Sequence, residues 1–213
     1  MREFDLIPAF KSTRIANRGI QNKILASYRN KEFFDGKRMN GYGGMKYDGR
    51  WKPVAERICK EYQLDGNSWF LQIQSEKGYL LKEMLSLYPS MRVRGSETSA
   101  YAKQYTIEGV RKYINGLDYS ARQFHFILAL GIYTLNLSDV IKRLRDIQRM
   151  GIGRSFVTLA AYDTPEDLEL FRKWTLLGTT ILKKSEWIQV LEHCHYTGDY
   201  SFTTSKTLGL CGG

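Results

Sequence analysis

Residues 69–97 read WFLQIQSEKGYLLKEMLSLYPSMRVRGSE, and this stretch decides the fold. WFLQIQ is apolar and strand-like, SEKG is a turn, YLLKEMLSLYP has helical spacing, and MRVRGSE is a second strand. Pro89 stops the helix. The whole is one βαβ unit, the kind that opens a nucleotide-binding α/β sheet. Its turn lies where such folds hold a cofactor, and Glu97 ends the second strand, where a ribose would lie.

Working outward, further strands alternate with helices. FHFILAL (124–130) is a continuous apolar run of strand length, as expected for a strand covered on both faces. A helix follows, with Val140, Ile141, Leu144 and Ile147 on one face and Ser138 as its expected cap. Gly151 and Gly153 read as punctuation before the strand RSFVTLAA (154–161). Thr164-Pro165 then opens a helix to about Trp174, with Glu166 and Asp167 in its first turn. TTILKK (179–184) reads as a short strand or extended connection, Ser185 as the start of another helix, and residues 200–207 as a final strand. Upstream, Trp51 to Tyr62 forms one helical face, with Pro53 in its first turn, and a turn follows at residues 65–67. Residues 20–28 read as a short helix, 99–113 as helical, and 112–118 as a short third strand. The expected fold is α/β and Rossmann-like, a mostly parallel twisted sheet with helices on both faces.

The N-terminal part differs. Residues 34–51, FDGKRMNGYGGMKYDGRW, hold five glycines, which rules out regular structure, and three aromatic rings after Phe34. Such a loop can pack its rings and still present polar groups, as a lid over a site would. The expected division is an N-terminal arm and lid over 1–50, an α/β domain over 51–208, and a tail over 209–213.

The formal charge is +10, of which residues 1–60, with fourteen Lys/Arg and six Asp/Glu, supply +8. That balance suits an anionic partner, although no five-residue basic run marks nucleic acid. The longest apolar run is too short to span a bilayer, so no transmembrane segment is expected. No signal-peptide pattern opens the chain, and Cys59, Cys194 and Cys211 are odd in number and widely spaced. Free thiols and a cytoplasmic location are the expectation. His193 and His195 lie two apart on a helix, share no face, and close it rather than ligate a metal.

The order of motifs resembles the class I S-adenosylmethionine (SAM)-dependent methyltransferases, in particular a subgroup from bacterial polysaccharide and sugar-biosynthesis clusters. FFDGKRMNGYGGMKYDGRW (33–51), the βαβ unit, residues 124–150 and residues 160–204 carry the resemblance. The family's turn has the form D-x-G-C-x-K-G-F/Y-L. Lys77, Gly78, Tyr79 and Leu80 fit it, while Gln72 stands for the acid and Gln74 for the first glycine. The resemblance implies SAM contacts from Gln74, Ser75, Glu76, Gly78 and Tyr79, and ribose contacts from Glu97 and Thr98. It also places Asn115 to Asp118 near the adenine. A Cβ where glycine is needed costs roughly 1–2 kcal/mol. A lost charge-assisted hydrogen bond costs about 1.5–3 kcal/mol more. A micromolar ligand is held by about 8 kcal/mol, so the degenerate turn shifts affinity toward millimolar.

The implied reaction is methyl transfer to an oxygen or nitrogen of a small molecule, an anionic acceptor such as a sugar or nucleotide-sugar. Acceptor-side candidates are Tyr47, Asp48 and Arg50 from the glycine-rich loop, and Tyr162 and Asp163 at a strand end. Among these, Asp48, Tyr162 and Asp163 are the candidate catalytic residues, and Tyr47 and Arg50 the substrate contacts. An alternative is an inactive pseudo-methyltransferase that binds or regulates a protein partner. An RNA methyltransferase is a third reading, without a recognisable RNA module.

Overall fold

A computed structural model describes residues 1–7, 18–110 and 123–210. The expected third strand at 112–118, the adenine segment 115–118, the end of the 99–113 helix and Cys211 lie outside these. The strands are β1 (Arg2–Glu3), β2 (Trp69–Ile73), β3 (Arg92–Ser96), β4 (Phe124–Ala129), β5 (Gly151–Tyr162), β6 (Leu182–Lys183) and β7 (Asp199–Thr203). The helices are α1 (Ile20–Ser27), α2 (Lys31–Asp35), α3 (Lys52–Tyr62), α4 (Tyr79–Leu87), α5 (Ala100–Gln104), α6 (Leu137–Met150), α7 (Pro165–Trp174) and α8 (Lys184–His193).

The sheet runs β1-β7-β5-β4-β2-β3, with β6 pairing the end of β5, and every described pair is parallel. After β2 the chain moves to β3 on one side, then returns to lay β4 on the other. The order therefore reverses between β2 and β4, and a crevice opens at their carboxyl ends.

Alternation along the strands builds two cores. Leu71, Ile73, Ile127, Ala129, Val157 and Leu159 face α6 and α8, packing on Val140, Leu144, Ile147, Trp187 and Leu191. Phe70, Phe126, Leu128 and Phe156 face the other way, onto Val54 and Ile58 of α3 and Leu80, Leu81 and Met84 of α4. Each such buried side chain contributes about 1.5–3 kcal/mol, which is why a run like FHFILAL stays a strand between two helical layers.

The structure corrects several boundaries. α6 is capped by Asn136, whose Oδ1 accepts from the Asp139 N–H, while Ser138 donates to that oxygen instead. α8 is capped at Lys183, ahead of Ser185. Gly151 and Gly153 lie inside β5, beside a register irregularity against β4; a Cβ on Gly153 would overlap the His125 carbonyl oxygen. Helix α5 stops at Gln104, and residues 105–110 turn, with Gly109 at φ +81°. The last strand ends at Thr203, because residues 205–209 coil into turns. Arg2 and Glu3, expected in an arm over the core, add a sheet edge, and α2 forms where only loop was read. Cys59 and Cys194 are buried free thiols, as expected. His193 ends α8, and His195 follows its cap in a left-handed conformation. Among the described residues no helix is long and apolar enough to cross a membrane.

Candidate functional site

The turn after β2 decides the site's shape. Gln74 (φ +56°), Glu76 (φ +53°) and Gly78 (φ +79°) are all left-handed. Two of them carry side chains, at roughly 1–2 kcal/mol each. The path is held in spite of that cost. Ser75 N donates to Ser96 O at 3.0 Å, Gly78 N to Ser75 O at 2.8 Å, and Glu76 N to Glu97 Oε2 at 2.8 Å. The turn thus holds a left-handed backbone at two positions that carry side chains, beside the one glycine, Gly78.

The N-terminal segment closes over this turn at four points. Asp35 pairs with the buried Lys77 ammonium at 2.7 Å and accepts from Tyr101 Oη at 2.7 Å. Tyr79 Oη donates to Met45 O at 2.8 Å. Tyr42 Oη donates to the Glu76 carboxylate. Arg29 reaches Glu97 at 3.3 Å. The aromatic ring of Phe34 stacks with those of Tyr42 and Tyr101, so the glycine-rich loop is packed. Gly41 permits it: a Cβ there would overlap the Phe33 carbonyl.

These contacts set the local acidities. Burial pushes the Asp35 carboxyl up, but the hydrogen bonds from Lys77 and Tyr101 prevail and hold it below its ordinary value. For Glu76 burial prevails: the carboxyl is raised to about 7 despite Tyr42 and Arg29, with Glu97 adding repulsion. Burial, then the Glu76 charge, raises the Tyr42 hydroxyl well above its usual range.

Glu97 is fully engaged. Its carboxylate accepts from the N–H groups of Glu76, Thr98 and Ser99 at 2.8–2.9 Å, and from Arg29, and its side chain has 0% exposure.

Over the carboxyl ends of β2 and β4 lies a cleft of about 1030 Å³. Gln72 and Gln74 form part of its floor, Tyr42 and Arg38 come from the glycine-rich loop, and Tyr133 and Trp174 from the far wall. Gln74 Nε2 donates to Thr134 Oγ1 at 3.1 Å, and its carbonyl lies where a Cβ of Gly131 would fall. Gln72 Oε1 is buried and has no hydrogen-bond partner.

No protein-family profile and no curated protein matches the chain. Solved structures do. A Bacillus halodurans protein assigned as a methyltransferase superposes with a TM-score of 0.54 at 12% identity, covering 66% of this chain and 67% of that one. The fold is that of the Rossmann-like methyltransferases. The methyltransferase partner of the Haloferax volcanii Trm112 activator gives 0.50 at 14% identity, covering 69% and 72%. The YcgJ protein of Bacillus subtilis gives 0.50 at 18%, covering 66% and 66%.

On this methyltransferase fold, the cleft gathers Gln74, Glu76, Tyr79 and Arg50 of the expected site residues. Ser75, Gly78, Glu97 and Thr98 shape the turn from behind and do not line it. Tyr47 and Asp48 stay outside: Asp48 chelates Arg50 at 2.5–2.9 Å on the surface, and Tyr47 packs beside Tyr79. Tyr162 and Asp163 also lie off the cleft. Strand β5 carries them past its rim, where Asp163 pairs with Lys184 at 3.1 Å. His125 is exposed, and its Nδ1 accepts from Trp69 N. Sequence reasoning missed Arg18, Arg29, Arg38, Tyr42 and Tyr133. Only the ring-rich, glycine-rich loop signalled some of them.

Proposed function

We propose that this chain is a SAM-dependent methyltransferase acting on an oxygen or nitrogen of a small molecule. The observation that carries this reading is Gln72 Oε1, a buried acceptor without a partner on the floor of the cleft. A buried orphan acceptor costs about 1–3 kcal/mol until a donor arrives. The ammonium of the methionine part of SAM is a donor of the right chemistry. The left-handed turn beside it supports the same end of the cofactor. At the ribose end, Glu97 suits the hydroxyls only when the Arg29 contact is released.

When bound, SAM supplies an electrophilic methyl group. The chain's own residues then orient the acceptor and exclude water beneath the lid. Glu76, with a carboxyl near 7 and a cleft position, suits the removal of a proton from an acceptor hydroxyl near neutral pH. A sugar or nucleotide-sugar acceptor rests on the family resemblance alone.

One observation favours a second reading, a binding or regulatory subunit that keeps the fold without the transfer. The Glu97 carboxylate is already satisfied inside the protein. Calorimetric titration with SAM and S-adenosylhomocysteine decides between the two. Micromolar binding, weakened about tenfold by Gln72→Leu, supports the transferase. No binding to millimolar, in the wild type and in Arg29→Ala alike, selects the subunit.

A further inference from the structure

Five basic residues line the cleft, and they are not equivalent. Arg29 is paired with Glu97, and Arg50 with Asp48. Arg18 and Arg38 have no carboxylate partner among the described residues. Arg18 donates from Nη1 to Trp174 O at 2.6 Å and from Nη2 to Arg38 O at 3.3 Å. Its Nε is buried without a partner. Arg38 donates from Nη1 to Gly41 O at 3.0 Å and Tyr42 O at 3.4 Å. The carbonyl at the end of α7 accounts for one cation. It does not account for a second one beside it, held only by carbonyls of its own loop. Burial, then repulsion from Arg38, already disfavours the charged form of Arg18.

We infer that Arg18 and Arg38 form a clamp for the phosphate group of the acceptor, on the side of the cleft walled by the end of α7. Two guanidinium charges match a phosphate monoester dianion, whereas a carboxylate would balance only one of them. Guanidinium groups recognise phosphate through paired, charge-assisted hydrogen bonds. The orphaned Arg18 Nε supplies one donor, and the guanidinium hydrogens left over by the carbonyls supply others. Lys46, also on the cleft wall, adds positive charge. As an acceptor site the clamp rests on the transferase reading above; as an anion site it stands on the arginines alone.

The test is an NMR titration of the arginine Nε–H resonances with inorganic phosphate, at ionic strength held constant with chloride. A parallel titration uses acetate. The expected result is a saturable response of Arg18 and Arg38 below about 10 mM phosphate, with acetate at least about tenfold weaker. Arg38→Gln and Arg18→Lys should each weaken phosphate about tenfold. The exposed Lys60→Gln, which removes one charge away from the cleft, should leave it unchanged. Thermal midpoints confirm folding, and Arg38→Gln decides the matter if Arg18→Lys is unstable. No saturable response, undiminished binding in the variants, or equal binding of acetate overturns the clamp. SAM titration of the same samples reads the transferase separately, so phosphate binding without SAM binding removes that reading and keeps the anion site.

Discussion

Arg29 Nη2 lies 3.3 Å from Glu97 Oε1 and 3.4 Å from Oε2, closing a carboxylate that three backbone N–H groups already hold. Arg29 sits between α1 and α2, in a left-handed conformation, and Ser99 Oγ donates to its carbonyl at 2.5 Å. The N-terminal segment and the acid expected at the ribose are therefore joined by these contacts. On the proposed transferase reading, a ribose hydroxyl competes with Arg29 for Glu97. Arg29→Ala removes that competitor and is expected to tighten SAM binding by about tenfold, equivalent to about 1.4 kcal/mol, in calorimetric titration. Unchanged or weaker binding would mean that Glu97 plays no part at the ligand.

Gln74 combines a left-handed backbone with a carboxamide folded over Gly131. Gln74→Gly relieves the backbone and empties that space. Relief of the left-handed strain and the added freedom of the unfolded chain oppose each other, each at about 1 kcal/mol. Denaturant unfolding should therefore shift by less than about 1 kcal/mol. SAM affinity should rise several-fold, because backbone can then approach the ligand.

The Glu76 carboxyl is raised from 4.5 to about 7 by burial. The native state then holds a proton that the unfolded chain releases between these values. Its stabilising share is complete below pH 4.5 and is lost as pH rises through 7. Glu76→Gln removes this dependence and keeps an acceptor for the Tyr42 hydroxyl. Relative to wild type it should gain about 3 kcal/mol at pH 8 compared with pH 4.5, measured by urea unfolding at both values. A gain equal at the two pH values would contradict the raised carboxyl.

Asp35 fastens the N-terminal segment to the turn through Lys77, whose side chain is 7% exposed. Asp35→Asn leaves that ammonium buried without its counter-charge. The pair is partly open on the Asp35 side, so the loss should be about 2 kcal/mol, below that of a fully buried pair. Limited proteolysis should also cut the glycine-rich segment sooner. Because Asp35 is held below its ordinary value, wild type should lose the same stabilisation as pH falls through that lowered value, and the variant should not.

The sequence by itself determined the α/β class and most of the central strands and helices, though not the edge strand β1 or helix α2. The continuous apolar run FHFILAL, the proline-led helix starts at Pro53 and Pro165, and the βαβ unit are local or near-local signals, and each of these elements formed where it was read. Local chemistry also marked the 34–51 loop as packed rather than floppy, through its rings. What the sequence did not carry was which side chains meet. Asn136 displaces Ser138 as a cap because geometry, not residue type, chooses between adjacent capping residues. Tyr162 and Asp163 leave the site because the length of β5 carries them past its rim. Arg18 and Arg38 meet beside Trp174, more than a hundred residues away in the chain, through loops without periodicity. The engagement of Glu97 likewise depends on Arg29, delivered by a segment 68 residues earlier. Backbone periodicity is written along the chain. Contacts between loops depend on how the finished sheet brings distant ends together, and only the tertiary structure decides that.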